Sequence, residues 1–133
     1  MGWKKILIVD DETSILSMLK ETFSMDGYRV QTAESGEEAL KILKEETFMV
    51  MFLDLRLPGM SGIDLCWKIR ERDQVSIIYA ITGYSSYYGL IECRNAGFDD
   101  FFVKPVETRL LLNAAEEAFN KLARWRVRDY ELI

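Results

Sequence analysis

Short apolar segments alternate along the chain with segments whose apolar residues recur at helical spacing. The apolar segments are rich in β-branched or aromatic residues and have strand length, and they cover residues 6–9, 28–33, 48–53, 75–81 and 101–103. Helical spacing covers residues 13–25, a segment capped by Ser35, a segment capped by Ser61, and residues 85–95 and 108–127. This alternation predicts five strands, each followed by a helix.

Strands that alternate with helices are typical of βαβ units and a parallel sheet. The third predicted strand is apolar at every position, as expected for a strand covered on both faces. In the last helix, the 4-3-4 spacing of Leu111, Ala115, Ala118 and Leu122 predicts the side that faces the sheet, with Trp125 near the edge. The chain has no internal repeat or linker, so we expect one doubly wound α/β domain.

Composition narrows the possible functions. Of the 133 residues, 49% are hydrophobic and 29% are charged, and the net charge of −5 argues against nucleic acid as the main partner. The chain has no histidine and two cysteines, which excludes Ser-His-Asp and Cys-His catalysis and a zinc site of two cysteines and two histidines. We expect Cys66 and Cys93 to be buried, reduced thiols.

Cellular location follows from the same data. The apolar run 6–9 is too short for a signal peptide. Residues 74–91 carry no charge but include serine, threonine, glutamine and glycine, so we expect no membrane span and a cytoplasmic protein.

Polar residues capable of chemistry occur where the predicted strands end. Asp10 and Asp11 follow the first strand, Asp54 the third, Thr82 the fourth and Lys104 the fifth. In open α/β sheets the functional crevice lies at the carboxyl ends of the strands, so these side chains should meet at one rim. Clustered carboxylates suit Mg²⁺, and the metal, the hydroxyl and the ammonium could hold a phosphoryl group. Attack by Asp54 on phosphorus would give an aspartyl phosphate.

Four segments at these strand ends resemble the response-regulator receiver domain, the phosphoacceptor module of two-component signalling. The segments are ILIVDDE at 6–12, LDLRLPGMSG at 53–62, ITG at 81–83 and DDFFVKP at 99–105, and the resemblance spans about residues 4–123. It implies a flavodoxin-like strand order of 2-1-3-4-5 and a receiver domain at 1–123. Residues 124–133 would then extend the last helix or form a tail, which could be the start of a linker.

The resemblance also implies roles at the acidic end of the site. Asp54 matches the phosphoacceptor. Asp11, Asp54 and the backbone carbonyl of Arg56 match the direct Mg²⁺ ligands, and Asp10 matches the acid that acts through water. The phosphoryl donor would be a phosphohistidine on a sensor histidine kinase or a phosphotransfer protein. The domain would catalyse its own phosphorylation and dephosphorylation and would otherwise not be an enzyme.

Other positions match the parts that respond to phosphorylation. Thr82 matches the switch hydroxyl, Lys104 the lysine that pairs with the phosphoryl group, and Phe101 the switch aromatic. The bond between Lys104 and Pro105 matches a cis peptide. We expect the output face on the fourth helix, fifth strand and last helix, where a homodimer could form and where four aromatic residues lie: Tyr84, Tyr87, Tyr88 and Phe101.

Three alternatives remain at this point. An aspartate-nucleophile phosphatase needs a second acid two residues after the nucleophile, where this chain has Arg56. A flavodoxin-type flavin binder needs a phosphate loop after the first strand, where Asp10, Asp11 and Glu12 would repel phosphate. A degenerate receiver that acts as an interaction module would take up no phosphate on Asp54.

Overall fold

A computed structural model describes residues 4–83 and 87–132, with the side chains of residues 87, 88 and 126–132 outside the description. The strands are β1 (Lys5–Val9), β2 (Arg29–Ala33), β3 (Val50–Asp54), β4 (Ile77–Thr82) and β5 (Asp100–Val103). The helices are α1 (Thr13–Met25), α2 (Gly36–Glu45), α3 (Gly62–Arg70), α4 (Tyr87–Ala96) and α5 (Thr108–Leu132). None of these described helices combines the length and the apolar character that crossing a bilayer requires.

The five strands form one parallel sheet in the order β2-β1-β3-β4-β5. The predicted fold class and strand order are therefore confirmed. β3 and β4 are buried at every residue, because helices cover both faces of the sheet.

Alternate residues of each strand supply two separate cores. One face packs against α1 and α5 through residues such as Ile8, Phe52 and Leu122. The other packs against α2, α3 and α4 through residues such as Leu53 and Leu65. The sheet-facing stripe predicted for the last helix is buried, while Trp125 at its edge is 54% exposed. The two cysteines are free and buried, as predicted.

Serine caps orient the two helices that follow β2 and β3. The Ser35 hydroxyl accepts a hydrogen bond from the Glu38 N–H at 3.1 Å, and the Ser61 hydroxyl accepts one from the Asp64 N–H at 3.1 Å. Each cap satisfies an N–H group that the first helical turn leaves unpaired. The predicted starts of α2 and α3 are thus confirmed.

Several predicted boundaries were wrong by a few residues. β2 begins at Arg29, because the Tyr28 N–H closes the end of α1 by donating to the Phe23 carbonyl across Gly27, whose φ is +95°. β3 covers Val50–Asp54 rather than 48–53. β4 begins at Ile77, because the two preceding N–H groups donate to the Asp73 carboxylate in a turn. α5 continues to Leu132, five residues beyond the prediction, and α4 ends at Ala96.

Candidate functional site

The first two acidic residues of the rim follow β1 directly. Asp10 is 3% exposed, whereas Asp11 is exposed to solvent. One oxygen of Asp10, Oδ1, accepts a hydrogen bond from the Glu12 N–H at 2.9 Å. This bond orients the carboxylate and leaves its second oxygen for the centre of the site.

Asp54 is the last residue of β3, the central strand, and is 4% exposed. Its Oδ1 atom accepts a hydrogen bond from the Arg56 N–H at 3.1 Å. Asp54 therefore has the same arrangement as Asp10, in which a backbone N–H two residues later holds one oxygen. Its Oδ2 atom faces the same cation as Asp10.

That cation is Lys104, which follows β5. Its Nζ atom lies 2.8 Å from Asp10 Oδ2, 3.1 Å from Asp54 Oδ2 and 3.5 Å from Glu12 Oε1. The Lys104 N–H also donates to the Thr82 carbonyl at 2.8 Å, which extends the pairing of β5 with β4 as far as this residue. The lysine thus bridges the carboxylates at the ends of β1 and β3.

Burial and charge shift the pKa values of this group. Burial raises the pKa of Asp54, the hydrogen bonds from Arg56 and Lys104 oppose that change, and the neighbouring Asp10 charge adds to it. Burial by itself would lower the pKa of Lys104, but hydrogen bonds to Asp10 and Asp54 outweigh it, and the pKa rises above its usual value. Lys104 therefore stays protonated and positively charged, while burial destabilises the charged form of Asp54.

The acidic group has the composition of a magnesium site. One carboxylate oxygen from each of Asp10, Asp11 and Asp54 lies within 4.8 Å of the others. These three carboxylates outnumber the single Lys104 ammonium, so the site has an excess of negative charge. Hard oxygen donors of this kind suit Mg²⁺, which retains several of its waters in protein sites. The residues present therefore fit the metal.

Of the residues predicted to respond to phosphorylation, Thr82 and Lys104 lie at this end of the sheet, and Phe101 lies two residues before the end of β5. Thr82 ends β4 and is fully buried, and the Lys104–Pro105 peptide bond is cis. Phe101 lies on β5 opposite Ala80 of β4 and packs half-buried against the α2–α3–α4 side of the core.

Some predicted positions are not tested by the geometry. Tyr84 lies outside the described residues, as do the side chains of Tyr87 and Tyr88, although both of the latter belong to α4. The role of the Arg56 backbone carbonyl as a metal ligand likewise stays a prediction.

Gly62 is a positioning residue that the sequence reasoning missed. Its N–H donates to the Leu55 carbonyl at 2.9 Å, and a Cβ at this position would overlap the Asp54 carbonyl oxygen and lie 2.8 Å from Leu55 Cα. The missing side chain lets α3 begin directly against the end of β3. Its signal in the sequence is a glycine right after the Ser61 cap, at the first position of a helix, although glycine is a poor helix former.

Known proteins share this sequence pattern. The family model of the response regulator receiver domain matches residues 6–116. The transcriptional regulatory protein AfsQ1 of Streptomyces coelicolor is 37% identical over 106 residues, which are 80% of this chain and 47% of that protein. The alkaline phosphatase synthesis transcriptional regulatory protein PhoP of Bacillus subtilis is also 37% identical over 106 residues, 80% of this chain and 44% of its own. The chain thus spans less than half the length of these curated relatives.

Solved structures share the fold over most of the chain. A CheY-like receiver domain protein from Methanospirillum hungatei superposes with a TM-score of 0.88 at 34% identity, covering 91% of this chain and 97% of its own. The response regulator TrrA of Thermotoga maritima, solved in complex with Mg²⁺ and BeF, has a TM-score of 0.79 at 34% identity and covers 86% and 98% of the two chains. Together with the family match, these likenesses show that the chain belongs to the response regulator receiver domain family, a family of signalling modules.

Proposed function

We propose that Asp54 accepts a phosphoryl group from a phosphohistidine of a sensor histidine kinase or phosphotransfer protein, and that Mg²⁺ assists. The observation that carries this proposal is the bridge made by Lys104. Its ammonium contacts both Asp54 and Asp10, within a set of three carboxylates that exceeds its charge. A site with nucleophile, cation and metal ligands at one point is suited to phosphoryl transfer.

The proposed reaction is a direct transfer of the phosphoryl group from the donor nitrogen to an Asp54 oxygen. A carboxylate oxygen of Asp54 forms a bond to phosphorus as the phosphorus–nitrogen bond of the donor breaks, and the electron pair leaves with the imidazole, whose other ring nitrogen carries a proton so that the ring departs neutral. Asp11, Asp54 and the Arg56 carbonyl would hold Mg²⁺, with Asp10 acting through water. The metal, when bound, supplies positive charge that offsets the charge of the phosphoryl oxygens.

The response is proposed to begin at Lys104. A phosphoryl group on Asp54 would attract its ammonium away from one of the two carboxylates to which it now donates a hydrogen bond. The Thr82 hydroxyl would turn toward a phosphoryl oxygen, and Phe101 would turn inward into the space that this movement opens. These residues lie on adjacent strands, so the change would pass from β4 to β5.

Intact-mass measurement after incubation with acetyl phosphate tests this proposal. We expect one added phosphoryl group, and only when Mg²⁺ is present. Asp54→Asn should abolish the mass gain, and the matched variant Asp64→Asn, at an exposed position of α3, should retain it. No gain in the unmodified protein would instead support the degenerate receiver, and an unchanged gain in Asp54→Asn would refute the assignment of the acceptor.

We further propose that α4, β5 and α5 form the output face. Among the described residues of these elements, five large apolar side chains are well exposed: Leu90 at 44%, Ile91 at 39%, Val103 at 46%, Leu110 at 50% and Trp125 at 54%. A contact surface needs exposed apolar side chains, so we propose that this face forms a homodimer on phosphorylation. Sedimentation with and without beryllium fluoride should show dimers only with the mimic. A monomer in both conditions would exclude the dimer.

Three further proposals concern the type of partner, the domain boundary and the cellular location. Two relatives are named as transcriptional regulators, but the similarity covers less than half of each. For the present residues we propose protein contacts rather than nucleic-acid contacts, because the net charge is −5. We also propose a cytoplasmic receiver at 1–123, with 124–133 as an extension of α5, which runs unbroken through that boundary.

A further inference from the structure

An open cavity of about 450 Å³ lies between α2 and α3, at the opposite end of the sheet from Asp54. Its apolar walls come from both helices and from the segment before β3. Phe48 and Ile69 are buried there, and Leu40 and Leu43 are half-buried. The volume falls in the range of about 300–1,000 Å³ that small-molecule sites occupy.

The acidic and the basic side chains around this cavity differ in whether they have partners among the described residues. Its two acidic residues are already engaged: Glu46 lies 3.0 Å from the Lys5 ammonium, and Asp73 accepts hydrogen bonds from two backbone N–H groups. In contrast, the basic residues Lys44, Lys68 and Arg72 form no ion pair with any described residue. The rim of the cavity is therefore locally positive, although the whole chain carries −5.

The helix dipoles alone do not explain why three basic side chains lie around this cavity. Lys44 and Lys68 lie in the last turns of α2 and α3, where a cation favours the helix dipole. The dipole does not explain why the cations surround an apolar recess. Arg72 lies beyond the end of α3 and adds a third charge at the same rim.

We propose that this cavity binds a small amphipathic anion, with an apolar ring or branched body against Phe48 and Ile69 and a carboxylate, sulfonate or phosphate group at the rim. The apolar walls would cover the body, and Lys68 and Arg72 would meet the anionic group. The proposal is independent of phosphorylation, because it uses none of the residues around Asp54. It adds a second ligand site to the domain.

Titration with anilinonaphthalene sulfonate, an aromatic anion whose fluorescence rises in apolar sites, tests the proposal. We expect saturable binding of one molecule. In the double variant Lys68→Gln/Arg72→Gln, the Kd should rise about five- to tenfold, since each exposed ionic contact contributes a few-fold. The control Lys20→Gln/Lys121→Gln removes the same charge from exposed positions outside the cavity and should leave the Kd unchanged.

Amide correlation spectra show where the anion binds, and an uncharged probe shows whether the substitutions disturb the apolar walls. With the anion bound, shifts should concentrate at residues 40–48 and 68–73, and the uncharged N-phenylnaphthylamine should bind both double variants equally. Binding that does not saturate, a Kd that is unaffected by Lys68→Gln/Arg72→Gln, or shifts centred on the α4–β5–α5 face would each overturn the proposal.

Discussion

Lys104 and Arg70 are both largely buried cations near the ends of strands, but their surroundings differ in charge balance. Arg70, whose side chain is 15% exposed, donates to the carbonyl oxygens of Gly97, Asp73 and Ser76 and to the Asp99 carboxylate. Lys104, 19% exposed, contacts two carboxylates whose side chains are 4% and 5% exposed.

The difference separates a contact whose charges are balanced from a group whose charges are not. Around Arg70 one cation meets one carboxylate, and uncharged carbonyls accept the remaining hydrogen bonds. The Lys104 ammonium contacts the carboxylates of Asp10, Asp54 and Glu12, and Asp11 adds another beside them, so the group is left with negative charge that a divalent metal can offset. Buried charge in excess reduces stability, and its presence at the end of the central strand marks the place where binding is expected.

The largest loss of stability is expected from replacing Arg70, the cation whose charge is balanced by one carboxylate. Arg70→Met should lower the free energy of unfolding by about 3 kcal/mol, because buried carbonyl oxygens and Asp99 lose their donor. Urea denaturation measures this change. Arg72→Met, at an exposed position two residues away, should change stability by less than about 0.5 kcal/mol. A small loss in Arg70→Met would show that its hydrogen bonds do not hold α3 to β4 and β5.

The next largest effect should come from Gly62, where the rim depends on close backbone approach. Gly62→Ala should lower the free energy of unfolding by about 2 kcal/mol, because the new methyl group forces α3 away from the end of β3. It should also slow phosphate uptake from acetyl phosphate, because the Asp54 backbone must move.

Gly83→Ala is the matched control for that change. A Cβ at Gly83 would meet no described atom within 4 Å, so its effect on unfolding should stay within about 0.5 kcal/mol. Equal losses in the two variants would show that overlap with the Asp54 carbonyl is not the origin of the cost at Gly62.

Gly62 and Arg70 also show where sequence reasoning stops. Strand ends are local features, so the alternation of segments predicted the fold and brought Asp10, Asp11, Asp54 and Lys104 to one rim. The constraint on Gly62 arises from a backbone approach between two elements. Arg70 has the sequence signature of a solvated side chain at a helix end, because the carbonyls that it binds have no signature at all.

Magnesium should stabilise the unbalanced site by a smaller amount. With the two carboxylates and the carbonyl that we propose as direct ligands, we expect a Kd of about 1 mM, so about 10 mM Mg²⁺ should add about 1.4 kcal/mol to the free energy of unfolding. Thermal unfolding with and without Mg²⁺, at constant ionic strength, measures this gain. Asp11→Asn should lose the gain and Arg70→Met should keep it. Nanomolar binding would indicate ligands beyond those proposed.

The smallest change in the free energy of unfolding is expected from neutralising one carboxylate, and its sign should differ between the Lys104 site and the Arg70 site. Asp54→Asn removes one of three crowded carboxylates and should raise the free energy of unfolding at neutral pH by no more than about 1 kcal/mol. Asp99→Asn removes the charge partner of Arg70 and should lower it by about 0.5–1 kcal/mol. Urea denaturation of both variants in the absence of Mg²⁺ makes the comparison.

The pH dependence checks the cause of the Asp54 effect. Burial raises the pKa of Asp54, so the folded state binds its proton more tightly than the unfolded state does. The wild type therefore loses stability as the pH rises from the ordinary aspartate value of 3.8 through the raised value, and Asp54→Asn lacks this loss. The stability advantage of Asp54→Asn should shrink as the pH falls through that interval. An advantage that does not change with pH would show that packing, rather than the charge of Asp54, is its origin.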